Sequence, residues 1–147
     1  MAFPDDLLEQ ATHLAQRDRN RPKQASLRRA VSTAYYALFH LLISETVAYW
    51  KLKGQRPVLA RAFEHGKMRN ASRRCTSTNV DLKAVADAFV ELQQARHLAD
   101  YDNSMVWVRL EALARIDLAR DAFNCWSRVR ETVAAQDYLL SLLVERK

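Results

Sequence analysis

Turn-forming residues are scarce in this chain: its 147 residues contain 2 glycines and 3 prolines. A fold of many short strands needs many tight turns, so the shortage points to a few long helices. Good helix formers (Ala, Leu, Arg, Gln and Glu) are abundant. Hydrophobic residues make up 49 %, which excludes a disordered chain and suffices for a core without disulfides or metals. The expectation is a single all-α domain over residues 1–147, an up-and-down bundle of about five helices.

The segment from Gln24 to Trp50 constrains the packing most. Leu27, Val31, Ala34, Leu38, Leu41 and Leu42 form one apolar stripe, and Tyr36, Phe39, Ile43, Val47 and Trp50 form a second. Tyr36 lies about 200° around the helix from Ala34, so both sides need cover. Such a helix is either the centre of a bundle or part of a dimer interface. Before it, Pro4 to Arg17 reads as a first helix, with proline and two acidic residues in its first turn. After it, Gly54 suits a C-terminal cap. A short basic third helix is expected from Pro57 to Arg73, with Phe63 in the core. Asn79 or Asp81 can cap a fourth, whose stripe is Leu82, Val85, Ala86, Phe89, Leu92 and Ala95. Ser104 can cap a fifth over Val106 to Val133, in which Glu111 and Arg115 form an i,i+4 pair. Tyr138, Leu139, Leu142 and Leu143 make a final apolar turn or short helix.

The net charge is +6, with two basic clusters, Arg17 to Arg29 and Arg56 to Arg74. These favour polyanions weakly, and solvated helix ends with a connector are the plainer reading. Cys75 and Cys125 have no metal-type spacing and read as free thiols of a reducing compartment. Residues Met1 to Asp6 carry acid where a secretory signal carries base, and no apolar run spans a bilayer. The expected location is the cytoplasm, with no membrane association.

Common catalytic signatures are absent. Two glycines cannot build a phosphate loop, and neither a Gly-x-Ser-x-Gly elbow nor a His-Glu-x-x-His pair occurs. His13, His40, His65 and His97 are scattered over four expected helices, so neither a metal site nor a cofactor is expected.

Two segments resemble a known family. Arg29-Ala-Val-Ser-Thr-Ala-Tyr-Tyr-Ala-Leu-Phe-His40 is similar to the second helix of HEPN (higher eukaryotes and prokaryotes nucleotide-binding) proteins. Ala95-Arg-His-Leu-Ala-Asp-Tyr-Asp102 resembles the Arg-x-x-Ala-Asp-Tyr segment of one branch of that superfamily. The order of the two and the long helix after the second also fit. The resemblance implies an up-and-down bundle that is often a homodimer packed through its central helices. It implies ribonuclease or toxin activity for several members, which carry Arg, four to six residues, then His. It also implies a nucleotidyltransferase-like protein as partner in a toxin–antitoxin-type system.

This chain lacks that arginine-to-histidine spacing. Five to seven positions before His97 stand Leu92, Glu91 and Val90, and no other histidine follows an arginine at that distance. After Arg96 at that spacing come Tyr101, Asp102 and Asn103, and neither Tyr nor Asp acts as imidazole does near neutral pH. No catalytic residue is therefore assigned. Arg96 and Asp100 stand at i,i+4 and can pair, fixing the turn into the next helix. The alternative is a ligand or RNA groove with Arg96, His97, Asp100 and Tyr101 at its rim. Tyr35, Tyr36, Phe39, His40, Ile43, Val47 and Trp50 line the central core or the dimer seam, and a Tyr36–His40 hydrogen bond is within reach. The expected function is a HEPN-like helical binding or interaction protein acting as a homodimer. The rivals are a metal-independent endoribonuclease and an RNA-binding module using the basic clusters.

Overall fold

A computed structural model of the chain describes residues 2–145; Met1, Arg146 and Lys147, the ends of the expected 1–147 domain, lie outside the described residues. Among those residues every regular element is helical. They are α1 (Phe3–Gln16), α2 (Gln24–Val47), a 3₁₀ turn (Lys53–Gln55), α3 (Arg56–Ala60), α4 (His65–Arg73), α5 (Val80–Tyr101), α6 (Arg109–Val129) and α7 (Val133–Leu143). The described residues thus form an all-α bundle of seven α-helices rather than about five. Among the described residues no helix is long and apolar enough to cross a membrane.

Helix α2 is the hub, packing on α1, α5 and α6 and touching α3 and α7. Of its first stripe Leu27, Val31, Ala34, Leu38 and Leu42 are fully buried, while Leu41 is half-buried at the edge of the core. Phe39 and Ile43 of the second stripe are also buried within the single chain, at 7 % exposure each. Tyr36 and Val47 are half-buried, and Trp50 is exposed. The helix stops at Val47, three residues before the expected end and well before Gly54. Arg56 explains the stop. Its guanidinium donates to the carbonyls of Ala48 and Trp50, both at 3.0 Å, so a side chain satisfies the helix end where a glycine cap was expected.

The expected third helix is two. The chain turns at Ala62 and Phe63, whose amides reach back only three residues, to Leu59 and Ala60. Phe63 is buried there, and Glu64 is extended. Placing the Phe63 ring in the core breaks the helix and starts α4 at His65, with Met68, Ala71 and Ser72 facing inward. Helix α4 packs on α5 and α7.

Asn79 caps α5, accepting from the Leu82 amide at 3.1 Å, and the whole expected stripe from Leu82 to Ala95 is buried. Ser104 does not cap α6. Its amide and hydroxyl both donate to Asp102, and α6 begins at Arg109. The intervening Trp107 is 1 % exposed, held by Gln24, whose carboxamide donates to the Trp107 carbonyl (2.7 Å) and accepts from its amide (2.9 Å). Arg115 pairs with Glu91 across to α5 at 3.0 Å instead of with Glu111. Thr132 ends the long helix early by capping α7 through the Ala135 amide at 3.1 Å.

Candidate functional site

Three elements bring polar and aromatic groups to one place: α2 along Ser32, Tyr35, Tyr36 and Phe39, α4 at its start, and the C-terminal turns of α5. Arg96 stands at the centre. Its Nε lies 3.2 Å from Asp100 Oδ2, the expected i,i+4 pair. Alignment is too poor for a hydrogen bond at that nitrogen, so the attraction is chiefly ionic. The Ser32 hydroxyl donates to the same carboxylate oxygen at 3.3 Å. Arg96 Nη2 donates to the Tyr36 hydroxyl at 2.9 Å. The guanidinium carbon sits 5.8, 5.4 and 5.9 Å from the ring centres of Tyr35, Tyr36 and Tyr101, within cation–π range of all three.

Beneath this group lies a buried dyad. Tyr35 is fully buried, and its hydroxyl is 2.6 Å from His65 Nδ1. Burial raises the Tyr35 pKa well beyond the ordinary phenol range, so the hydroxyl keeps its proton and donates. His65 Nδ1 is then the acceptor, and the ring proton is on Nε2. Burial lowers the His65 pKa, with the positive charges of Arg96 and His40 adding to the effect. The ring is therefore neutral at physiological pH. It stacks on Phe39 with centroids 4.2 Å apart and planes 15° from parallel. Gln93 of α5 donates to the His65 carbonyl at 3.3 Å and ties the start of α4 to the site.

The expected Tyr36–His40 bond does not form. The Tyr36 hydroxyl is taken by Arg96, a charge-assisted and stronger interaction. The His40 ring packs edge-on against Phe3 at 5.0 Å instead, and burial lowers its pKa.

His97 points away from the Arg96 centre, as one residue of helical rotation requires. It stands beside Tyr101 with ring centres 5.0 Å apart; both rings are exposed. With Arg69, Gln93, Gln94 and Leu98 it lines a cavity of about 400 Å³ between α4 and α5. Of the expected groove residues, Arg96, Asp100 and Tyr101 gather round one guanidinium, and His97 faces the adjoining cavity. Ile43 and Val47 lie about one and two turns beyond Phe39 along α2, and Trp50 lines a small cavity with Gln55, Val58 and Leu59, so none of these three joins the site.

Sequence reasoning missed His65, Arg69, Ser32 and Gln93. Nothing in local spacing marks them, because their partners are 28 to 68 residues away where a hydrogen bond exists. A further cavity of about 450 Å³, lined by Arg74, Cys75, Tyr138 and Ser141 among others, lies at the seam of α4 and α7 and contains no expected site residue. Both cysteines are free thiols, and no group of three or more His, Cys, Asp or Glu among the described residues is arranged to hold a metal ion. Comparisons with protein-family models, with curated proteins and with solved structures give no match to this chain.

Proposed function

We propose that this chain is a HEPN-like helical binding protein that takes an RNA or nucleotide ligand in the groove bordered by Arg96, His97, Asp100 and Tyr101. The observation that carries the proposal is the setting of Arg96, framed by three tyrosine rings beside an open cavity. A cation among aromatic faces can meet both parts of such a ligand, phosphate through the guanidinium and base through stacking on the exposed Tyr101 and His97 rings. In keeping with the family resemblance, the protein acts as a homodimer, with a nucleotidyltransferase-like protein as partner. The test is binding of short single-stranded RNA over a salt series, with Arg96→Gln and Tyr101→Ala beside the wild type. Binding that falls in both variants supports the groove. Binding unchanged in both moves any RNA contact to the basic clusters or removes it.

One observation favours a second reading, a metal-independent endoribonuclease. The spacing rule fails in the sequence, yet the fold seats His65 of α4 against Tyr35 and Tyr36, the two rings that Arg96 also meets. Arg96 would stabilise charge on a phosphate, and His65 would supply the titratable group that cleavage of RNA requires. Cleavage of structured or single-stranded RNA by the pure protein, abolished in both Arg96→Ala and His65→Ala, would establish this reading over the first.

A further inference from the structure

Arg69 projects from α4 to the wall of the 400 Å³ cavity, and its charge is not balanced there. Helix α4 contains no carboxylate. Helix α5 carries four, and each already holds a cation: Asp81 with Arg128, Asp87 with Lys83, Glu91 with Arg115 and Asp100 with Arg96. Among the described residues Arg69 makes neither an ion pair nor a hydrogen bond, and its Nε is buried without a partner. Gln93, on the same wall, is 8 % exposed and is held there by its amide, which donates to the His65 carbonyl at 3.3 Å. A half-buried guanidinium with no counter-charge is costly, and an anion arriving in the cavity removes that cost.

We infer that this cavity binds a phosphate monoester, with the phosphate on Arg69. This rests on the reading of the neighbouring groove as a ligand site and names the ligand class. A phosphate end offers three oxygens, enough to accept together from the Arg69 fork, an imidazole N–H of His97 and the Gln94 carboxamide. A carboxylate presents its lone pairs in one plane, whereas the tetrahedral phosphate spreads its oxygens over three directions and suits donors that reach it from different walls. The cavity is larger than the oxyanion alone needs, and Leu98 gives the remainder an apolar wall for the esterified group.

The test is calorimetry at low salt with ribose 5-phosphate, inorganic phosphate, ribose and succinate as probes. Ribose 5-phosphate should bind at least tenfold more tightly than each of the other three. Arg69→Gln should weaken it at least tenfold, and Arg69→Lys should restore part of the loss. Circular dichroism checks that Arg69→Gln is folded. Leu98→Asp, at an exposed position on the cavity wall, tests the same point by repulsion without altering Arg69. Ribose 5-phosphate that fails to bind, or binds no better than ribose or succinate, overturns the phosphate assignment. Inorganic phosphate binding as tightly overturns the ester. An Arg69→Gln protein or a Leu98→Asp protein that binds like wild type overturns the location. RNA binding lost in Arg96→Gln while ribose 5-phosphate fails to bind the wild type leaves the groove standing and this inference refuted; ribose 5-phosphate binding lost in Arg69→Gln while RNA binding survives in Arg96→Gln refutes the groove alone.

Discussion

Replacing Tyr35 with Phe removes one oxygen from the centre of the protein and nothing else. The ring is fully buried and keeps its contacts with Phe89 and Phe39, at 5.4 and 5.9 Å, so no cavity opens beyond the hydroxyl. What is lost is a 2.6 Å hydrogen bond, and His65 Nδ1 is left without a donor. An unpaired buried acceptor costs about 1–3 kcal/mol. His65 is only half-buried, so water recovers part of that, and the expected loss is about 1–2 kcal/mol. With a urea slope of about 2 kcal/mol/M, the unfolding midpoint should fall by about 0.5–1 M. The pH dependence is more specific. The folded pKa of His65 lies below its ordinary 6.5, so the unfolded chain takes up the proton first on acidification. This group's contribution is complete above that ordinary value and is lost as pH falls below it toward the folded pKa. Once the ring is protonated, Nδ1 no longer accepts from Tyr35, and the wild type loses the same bond that the variant lacks. The gap between the two proteins should be widest near pH 7.5 and narrower at pH 5. Urea melts followed by circular dichroism at both pH values measure it. Equal midpoints at pH 7.5, or a gap that widens with acid, would refute the donor and acceptor assignment.

Arg28→Ala should cost about 2–3 kcal/mol, since this guanidinium donates to the carbonyls of Ala99 (3.0 Å), Asp102 (2.8 Å) and Met105. Amide exchange over residues 100–106 should quicken in the same variant. Glu45→Gln should lower the melting temperature by about 3–8 °C, because the carboxylate, 13 % exposed, accepts from Trp126 Nε1 at 2.6 Å and from Arg130 at 2.7 and 2.8 Å; calorimetric scanning decides. Asp100→Asn should destabilise by about 1–2 kcal/mol in urea melts, by leaving Arg96 among the tyrosines without its carboxylate. The same change should tighten RNA binding, because the freed guanidinium charge favours a phosphate.

Where neighbours in space are neighbours in sequence, the reading from residues succeeds. The stripe from Leu82 to Ala95, the Asn79 cap and the Arg96–Asp100 pair are local to one helix, and all three form. Errors fall where a distant side chain outcompetes a local partner. Arg115 has Glu111 one turn away but reaches Glu91, and Arg56 ends α2 at Val47, three residues before the expected end at Trp50. The break between α3 and α4 has the same origin, since burying Phe63 is worth more than the helical bonds lost at Ala62 to Glu64. Of the candidate site, Arg96, His97, Asp100 and Tyr101 were legible because they stand within five residues of one another on α5; Gln93, whose partner is 28 residues away, was not. His65 and Arg69 were hidden inside a segment that reads only as basic.

The second face of α2 links the fold to the proposed function. Ser32, Tyr35, Tyr36, Phe39 and Ile43 fall within an arc of about 100° on that helix. An arc so rich in aromatics demands cover, and from the sequence a second copy of the chain is one way to supply it. In the structure Phe39 meets the His65 ring, Tyr35 meets His65 and Phe89, and Ser32 and Tyr36 meet the Arg96–Asp100 pair. The cover is thus partly polar and charged, contributed by α4 and α5. An apolar partner would have buried the same rings with less desolvation, since Arg96 and His65 each lose solvent to be there. A site that keeps a guanidinium, an imidazole and a carboxylate in contact with buried tyrosines accepts that cost, and ligand binding is a function that explains it. It also narrows what a homodimer can use. A seam along α2 is left with the half-buried edges, Tyr36, His40, Leu41 and Val47, and the exposed Tyr49 and Trp50 beyond the helix end. Tyr36→Glu and Trp50→Glu therefore separate the two roles. Loss of dimer mass in sedimentation with Trp50→Glu, with RNA binding intact, would place the seam at the end of α2 and the ligand at its middle. A wild type that sediments as a monomer at micromolar concentration would remove the seam and leave the groove to stand alone.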